Sequence, residues 1–315
     1  MMLNSTMKKT FRAALAIVCA GTLMSGTAAC GSTSSSGGDK VALLVSTLNN
    51  PFFVDLRDGA QAAAKDLGVD LMVSDAQNDS STQQNQAQNA QSQGAKAVII
   101  NPVDSDAASP AVAPLLSSKL PVISVDRSVT GEDVTSHIAS DNVAGGAQAA
   151  DELAKAVGEK GKVIILQGTP GAASTRDRGD GFKKEIKKYS GIEVVAEQTA
   201  NFDRAEALDV TTNLMQSHPD VVGIYAENDE MALGAIQSLG SKAGADVKIF
   251  GFDGTEGGLK AVSNGTMVGT IAQQPKELGK KAVEAAVKAI KGESVEKTES
   301  IEVKTVTKEN VADFQ

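Results

Sequence analysis

The stretch that decides the fold is VALLVSTLNNPFF, residues 41–53. Its short apolar, β-branched start predicts a buried strand, and the Asn-Asn-Pro that follows predicts a strand end and a helix that begins at Phe53. Ligands of open α/β sheets bind at the carboxyl ends of the strands, where Asn50, Phe52 and Phe53 would lie. A flat ligand with apolar faces and hydroxyl edges, such as a sugar ring, would satisfy all three side chains. The alternative is that both phenylalanines are ordinary core residues under the first helix.

Strands and helices alternate along the rest of the chain, with short loops between them. Strands are predicted at residues 71–73, 97–100, 121–125, 162–166, 193–196, 221–226 and 247–252. A helix from about 276 to 291 and a strand near 301–306 follow, whereas residues 137–141 are predicted to be an extended connector. Strands separated by helices imply parallel sheets with right-handed crossovers, so the fold class is α/β with two doubly wound parallel-sheet domains.

The end of the chain, from residue 268, is better placed by returning to both sheets than by forming a third domain. That return would create several crossings between the domains, and hence a multi-strand hinge. We therefore predict an N-terminal lobe of residues 40–140 plus 274–302 and a C-terminal lobe of residues 141–273 plus 303–315.

Residues 1–29 are predicted to be a secretory signal peptide. A basic segment precedes an apolar run, residues 13–24, that is too short to span a bilayer as a stable helix. Cleavage before Cys30 resembles processing at a bacterial lipobox, although Thr27 stands where that pattern usually has Leu. Residues 30–39 would then form the lipid-anchor cysteine and a flexible tether, outside the cytoplasm. The alternative is an ordinary signal peptide with an incidental cysteine.

Composition excludes several classes of function. The 315 residues carry a formal net charge of -9 with a pI near 4.9, which argues against nucleic-acid binding because phosphate recognition needs clustered Lys and Arg. The other cysteine, Cys19, lies inside the predicted signal. Cys30 would then be the only cysteine of the mature protein, so we expect no internal disulfide. Aromatic residues make up only 3% of the chain, so a Phe-Phe pair in a loop stands out.

Polar and aromatic side chains stand at the predicted carboxyl ends of strands in both halves. They are Asn50, Asn101, Asp126 and Arg127 in the first half, and Arg178, Phe202, Asn228 and Asp253 in the second. If the two sheets face each other across a cleft, these side chains point into it. Carboxylates accept, guanidinium groups donate and amides do both, so the set suits a polyol whose ring faces are covered by phenyl groups. Two aspartates against two arginines favour an uncharged ligand.

Each member of this set has a structural alternative. The two aspartates and Asn228 could each cap the helix that follows. Arg127 could form a plain ion pair with the aspartate beside it. Arg178 could lie on a solvated helix face, and the residues alone do not distinguish it from Arg176 as the ligand contact.

Catalysis is a poor fit to this sequence. The two histidines, His137 and His218, stand far apart in the pattern and are predicted to be structural. The sequence contains no nucleophile elbow, metal-spaced His and Cys cluster or phosphate-binding glycine loop, so we expect neither a cofactor nor a metal. Asp126 and Asp253 could in principle form a glycosidase pair. The neighbouring arginines are expected to keep both ionised, which would leave no general acid.

Four stretches resemble the ribose-binding branch of the bacterial type I periplasmic binding proteins, and the match runs from about residue 41 to 291. They are VSTLNNPFF (45–53), SHIASDN (136–142), NDEMALGA (228–235) and GFDGT (251–255). The resemblance implies a monomer whose two lobes close on D-ribose by hinge movement, with no enzymatic activity. It further implies delivery of the sugar to the permease of an ATP-driven (ABC) transporter, with a chemoreceptor as a second candidate partner.

The resemblance also assigns the ligand contacts one by one. They are Asn50, Phe52, Phe53, Asn101, Asp126, Arg127, Arg178, Phe202, Asn228, Asp253 and Gln273. It selects Arg178 over Arg176 and adds Gln273, which the strand-end argument does not reach. Every matched position carries the family's residue type. The departures are the lipobox-like start and the acidic, Lys-rich tail beyond Gly292.

Three other functions stay open at this stage. The first is a binding protein or sensor for another pentose or furanose signal. The second is the ligand core of a lactose-repressor-type regulator, which would need an N-terminal helix-turn-helix where this chain has a predicted signal and anchor. The third is a sugar-processing enzyme, which would turn its ligand over.

Overall fold

A computed structural model describes residues 38–315, which contain two six-stranded sheets. The predicted signal peptide, Cys30 and most of the tether lie outside the described residues. The first sheet has the spatial order β11-β5-β4-β3-β1-β2, with all pairs parallel. Its strands are β1 (Lys40–Val45), β2 (Asp70–Asp75), β3 (Ala97–Ile100), β4 (Val122–Val125), β5 (Ser136–Ser140) and β11 (Thr298–Ile301). Helices α1 (Pro51–Leu67), α2 (Ser80–Ser92) and α3 (Ser109–Ser117) connect them.

The second sheet has the order β12-β10-β9-β8-β6-β7, in which only β12 runs antiparallel to its neighbour. Its strands are β6 (Lys160–Gln167), β7 (Gly191–Thr199), β8 (Val221–Ala226), β9 (Lys248–Asp253), β10 (Gly269–Ala272) and β12 (Lys304–Thr307). The helices that follow the first lobe are α4 (Asn142–Ala156), α5 (Ala173–Ile186), α6 (Arg204–Ser217), α7 (Asp229–Leu239), α8 (Glu256–Asn264) and α9 (Pro275–Ile290). Short 3-10 helices cover Gly240–Lys242 and Val311–Phe314.

Both faces of each sheet are covered, which explains why the central strands are continuously apolar. Residues 41–45 of β1 are all buried and contribute alternately to core clusters on the two faces of the first sheet. The second sheet is sandwiched in the same way between two further clusters. Helix α9 returns to the first lobe and packs against α1 there.

Two of the predicted elements are wrong. Residues 136–140 form strand β5 of the first sheet, paired with β4 and β11, instead of an extended connector. The single strand predicted near 301–306 is two strands, β11 and β12, one in each sheet. The chain therefore crosses between the sheets three times, after β5, after β10 and after β11. Helix α1 begins at Pro51, two residues before the predicted start, because Asn50 caps it.

Within residues 38–315, the structure contains no helix that is long and apolar enough to cross a membrane.

Helices α1 and α9 meet through glycine, which allows their backbones to touch. A Cβ atom added at Gly279 would lie 2.0 Å from the Leu56 carbonyl oxygen, and one at Gly59 would lie 2.1 Å from the Lys276 carbonyl oxygen. We expect Gly279→Ala to lower the free energy of unfolding by about 1 to 3 kcal/mol, since the helices must separate to admit the methyl group. Urea unfolding measures this change.

The matched control is Gly257→Ala in α8, where an added Cβ would meet only the end of the flexible Leu233 side chain. The higher helix propensity of Ala should leave that variant unchanged or up to about 1 kcal/mol more stable. Equal behaviour of the two variants would contradict the close packing of α1 on α9.

Candidate functional site

A cavity lies where the carboxyl ends of the two sheets face each other, and about 220 Å³ of it is free of protein atoms. Both lobes contribute side chains. They are Asn50, Phe52, Phe53, Asp126 and Arg127 from the first lobe, and Ser174, Arg178, Phe202, Asn228 and Asp253 from the second. The structure thus brings together residues that are separated by as many as 203 positions in the chain, from Asn50 to Asp253.

The two asparagines of the cavity are helix caps as well as lining residues. Asn50 Oδ1 accepts from the Phe52 N–H at 2.9 Å at the start of α1, and Asn228 Oδ1 accepts from the Met231 N–H at 2.9 Å at the start of α7. Each cap uses the amide oxygen. Asn50 Nδ2 then makes no hydrogen bond among the described residues, whereas Asn228 Nδ2 donates to the Phe202 carbonyl oxygen at 3.4 Å. Asn228 therefore caps α7, as the structural alternative predicted, and also lines the cavity.

Three phenyl rings form the apolar walls. The Phe52 and Phe53 rings meet edge to face, with centroids 5.1 Å apart, and both belong to the core of the first lobe while lining the cavity. The guanidinium carbon of Arg127 lies 5.4 Å from the ring centroids of both Phe53 and Phe202. Arg127 thus links an aromatic ring of each lobe through cation–π contacts.

Arg178 is held rigidly by the second lobe. Its Nε donates to Asn142 Oδ1 at 2.8 Å, and its Nη1 donates to the Glu227 carbonyl oxygen at 2.7 Å. The guanidinium carbon lies 3.9 Å from the Phe252 ring centroid, and Nη1 lies 3.5 Å from Asp253 Oδ1. In the described part of the chain, Nη2 makes no hydrogen bond to protein, so it can donate into the cavity.

Each cavity aspartate is oriented by an amide behind it. Asn101 Nδ2 donates to Asp126 Oδ2 at 3.1 Å, and Gln273 Nε2 donates to Asp253 Oδ1 at 2.7 Å. Asn101 and Gln273 are themselves absent from the cavity lining. Asp126 Oδ1 is buried without a partner among the described residues, as is Gln273 Oε1.

Left-handed backbone occurs at three of the lining residues. The φ angles are 66° at Asp126, 59° at Phe202 and 122° at Asp253. Residues other than glycine rarely adopt such angles, and the strain is of order 1–3 kcal/mol each. The fold therefore holds these side chains in positions that relaxed backbone would not give.

The lobes touch each other beside the cavity. Ser105 follows β3 in the first lobe. Its N–H donates to the Gly171 carbonyl oxygen at 2.9 Å, and its hydroxyl accepts from the Ala173 N–H at 3.0 Å. Arg176 Nη1 reaches Asp106 Oδ2 at 3.2 Å. These contacts exist only when the lobes are together, so the structure is a closed form.

Burial dominates the charge state of the cavity carboxyl groups. It raises the pKa of Asp126 and raises that of Asp253 well above its usual value, although Arg127 and Arg178 oppose the rise. Burial therefore opposes the arginines, which were expected from the sequence to keep both carboxyl groups ionised. A polar group that donates to these oxygens would favour their ionised form.

Sequence reasoning missed two residues at this site. Ser174 lines the cavity one helical turn before Arg178. Glu227 is fully buried, and its Oε2 accepts from the Gly168 N–H at 2.8 Å. Glu227 directly follows strand β8, so the strand-end rule could have found it.

The remaining candidates lie away from the cavity lining. The Arg176 side chain is 41% exposed and pairs with Asp106. His137 Nδ1 lies 2.8 Å from the Ser124 hydroxyl, and burial lowers its pKa. His218 is the residue at which α6 ends. Residues 38–315 contain no cluster of three or more His, Cys, Asp or Glu side chains arranged for a metal ion.

The sequence matches a family model described as a periplasmic binding protein domain over residues 41–294. It is 48% identical over 271 residues to the ribose import binding protein RbsB of Salmonella typhimurium (strain LT2), which is 86% of this chain and 91% of that protein. The chain belongs to the periplasmic binding protein family. The protein of the same name from Bacillus subtilis (strain 168) is 43% identical over 277 residues, or 87% of this chain and 90% of that protein.

The fold of this periplasmic binding protein is similar to that of solved solute-binding proteins. The myo-inositol binding protein of Caulobacter, bound to myo-inositol, matches with a TM-score of 0.83 and 35% identity, covering 87% of this chain and 95% of that one. An ABC transporter solute binding protein from Actinobacillus succinogenes 130z with bound D-allose matches with a TM-score of 0.82 and 33% identity, covering 87% and 99%. The predicted fold class is confirmed.

Glu227 should make the stability of this binding protein fall as the pH rises. Burial raises the pKa of Glu227 from 4.5 to about 8, so the folded state keeps this proton between those values while the unfolded state has lost it. The free energy of unfolding contributed by this group therefore declines as the pH rises through that window, by at most about 5 kcal/mol. We expect Glu227→Gln, which mimics the neutral acid, to reduce the decline.

Urea unfolding of the sugar-free protein between pH 5 and 8 measures this effect. The exposed Glu293 provides the control, because Glu293→Gln should leave the pH dependence unchanged. If the free energy of unfolding falls as steeply with pH in Glu227→Gln as in wild type, Glu227 is not the group responsible.

Proposed function

We propose that this protein is the extracytoplasmic binding component of a sugar ABC transporter, and that it captures D-ribose in the cleft between its lobes. Its curated relatives with 43–48% identity are named ribose import binding proteins. All eleven side chains that the sequence resemblance assigned to ribose either line the cavity or, for Asn101 and Gln273, hydrogen bond to an aspartate that lines it. No reaction takes place in this polypeptide.

The observation that carries this proposal is the set of hydrogen-bonding atoms that protein groups leave free around the cavity. Among the described residues, Asp126 Oδ1 has no partner to donate to it, and Arg178 Nη2 has no acceptor. Acceptors and donors that meet beside phenyl rings suit a ligand with hydroxyl edges and apolar ring faces. Two aspartates against two arginines in the lining favour an uncharged ligand over a phosphate or a carboxylate.

We further propose that the three crossings between the sheets act as the hinge. The lobes would comprise residues 40–140 plus 274–302 and residues 141–273 plus 303–315. Sugar bound between them would contact both lobes only in the closed form, and so would shift the equilibrium towards it. The closed form would present a joint surface to the permease, with a chemoreceptor as a second candidate partner and the protein acting as a monomer.

The second candidate function is capture of another polyol by the same site. A xylitol-binding protein of Mycolicibacterium smegmatis is 34% identical over 300 residues, or 94% of this chain and 86% of that protein. The relatives named for ribose are more similar to this chain, which supports ribose as the first choice. The signal peptide and acylation of Cys30 stay predictions from the sequence, which mass spectrometry of the mature N-terminus tests.

Calorimetric titration with D-ribose tests the proposed function, since the chain has no Trp as an optical reporter. We expect D-ribose to bind more tightly than D-allose, D-arabinose, xylitol or myo-inositol, and to be recovered unchanged after long incubation. We expect Arg178→Met to weaken ribose binding at least about 30-fold, because it removes a buried guanidinium group that lines the cavity and pairs with Asp253.

The control for this variant is Arg57→Met, which removes a guanidinium group that pairs with Asp58 on the surface of α1. Its Kd for ribose should stay within about twofold of wild type. If another sugar binds more tightly, that sugar and not ribose is the ligand. If the sugar is turned over, the protein is an enzyme and not a binding protein.

Ser105 should favour closure without touching the sugar. The N–H of Ala173 at the first turn of α5 donates to the Ser105 hydroxyl, so one lobe caps a helix of the other only in the closed form. We expect Ser105→Ala to raise the Kd for ribose about 3- to 10-fold, and small-angle scattering to show a larger open fraction at subsaturating sugar. Ser118→Ala, at the exposed end of α3, is the control. An equal loss in both variants would contradict the trans cap.

A further inference from the structure

Ser174 is a cavity residue that neither the strand-end pattern nor the family resemblance assigned. It lies in the first turn of α5, is 2% exposed and lines the cavity with Arg178. The two residues are four positions apart, so they lie on the same face of the helix, one turn from each other. A ligand atom that Arg178 Nη2 can reach is therefore close to Ser174.

The Ser174 hydroxyl has no protein partner within the described range of the chain. A serine in the first turn of a helix usually caps it or bonds back to the backbone, but the hydrogen bonds of residues 38–315 include none from this side chain. The helix is capped instead by Ser105 of the other lobe, through the Ala173 N–H. The hydroxyl of Ser174 is thus left free while its residue is almost fully buried in the cleft.

Electrostatics define what this hydroxyl can bind. The first turn of α5 carries the positive end of the helix dipole, and the Arg178 guanidinium adds positive charge one turn away. Both favour an acceptor oxygen at this end of the cavity. A carboxylate acceptor is also near, since Asp253 Oδ1 lies 3.5 Å from Arg178 Nη1. A sugar hydroxyl oxygen can accept here and donate its own proton to a carboxylate.

We propose that Ser174 is a ligand-contacting and specificity-determining residue, whose hydroxyl donates to the sugar hydroxyl oxygen that faces the start of α5 beside Arg178. This inference rests on the proposed function and deepens it. The site then selects polyols that carry a hydroxyl at that position over the matching deoxy sugars. A deoxy sugar would leave the buried Ser174 hydroxyl and the neighbouring donor of Arg178 without a partner.

The neighbouring residue Thr175 provides a matched control. Its hydroxyl is also buried without a partner among the described residues, but Thr175 lines a different cavity, with Gly168 and Gly179. Thr175→Val removes a hydroxyl from the same helical turn without changing the sugar cleft. Comparison with Ser174→Ala therefore separates a ligand contact from a general effect on the first turn of α5.

The experiment is calorimetric titration of wild type, Ser174→Ala and Thr175→Val with D-ribose, with its 2-deoxy, 3-deoxy, 4-deoxy and 5-deoxy forms, and with 1,4- and 1,5-anhydroribitol. Together these analogues remove in turn each hydroxyl of the furanose and pyranose rings. We expect Ser174→Ala to raise the Kd for D-ribose about tenfold, the effect of one hydrogen bond in a buried site. For the one analogue that lacks the contacted hydroxyl, wild type and Ser174→Ala should bind alike. Thr175→Val should match wild type on every ligand.

Two results would overturn the inference while the proposed function stands. One is an unchanged Kd for D-ribose in Ser174→Ala, and the other is the same loss on every analogue or in Thr175→Val, which would show a general loosening of α5. If wild type prefers another sugar of the panel, only the choice of ribose fails. Titration of wild type and Ser174→Ala with that sugar and its deoxy forms then decides the role of Ser174. Binding of no sugar at all would overturn both.

Thermal unfolding without ligand shows whether each variant is folded. Should Ser174→Ala fail to fold, Ser174→Cys keeps the size of the side chain with a weaker donor, and its Kd for D-ribose should rise several-fold with the same dependence on the deoxy position. An unchanged Kd in that variant would count against the contact.

Discussion

Burial of two arginine–aspartate pairs in a closed cleft is the constraint on which the site depends. A charge removed from water is stabilised only if partners surround it, and this protein supplies them from the backbone and from aromatic faces. Arg178 is held by Asn142, by the Glu227 carbonyl oxygen and by the Phe252 ring, and Arg127 donates to the carbonyl oxygens of Pro102 and Val103. The guanidinium groups are thereby fixed before any ligand arrives, which lowers the entropy lost on binding.

The helix caps serve the fold and the cleft at once. Parallel sheets place the first turns of several helices at one edge, and a helix start needs an acceptor for its free N–H groups. Asn50 and Asn228 meet that need with their amide oxygens, and both residues also line the cavity. This arrangement explains why the strand-end residues combine helix capping with recognition, two roles that sequence reasoning treats as alternatives.

Closure depends on contacts that lie outside the cavity. Ser105 of the first lobe caps α5 of the second, and the Arg176–Asp106 pair joins the same two regions. Gly171 permits this approach, because a Cβ atom there would lie 1.9 Å from Asp104 Oδ2. Helix α5 also carries Arg178 and Ser174. The helix that contacts the other lobe in the closed form is therefore also one that presents side chains to the cleft.

The sequence determined the alternating strands and helices, because runs buried on both faces, such as residues 41–45, are apolar throughout and their helix caps are local. It missed β5 because that strand is short and alternates buried with half-buried residues, and it merged β11 with β12 because both are short and largely polar. The family resemblance selected Arg178 over Arg176, but only tertiary packing shows that the first is buried and the second exposed. Tertiary packing also revealed Ser174 and Glu227 and set the carboxyl pKa values. Those properties depend on which faces the second lobe buries, and desolvation at that depth comes from residues distant in the chain.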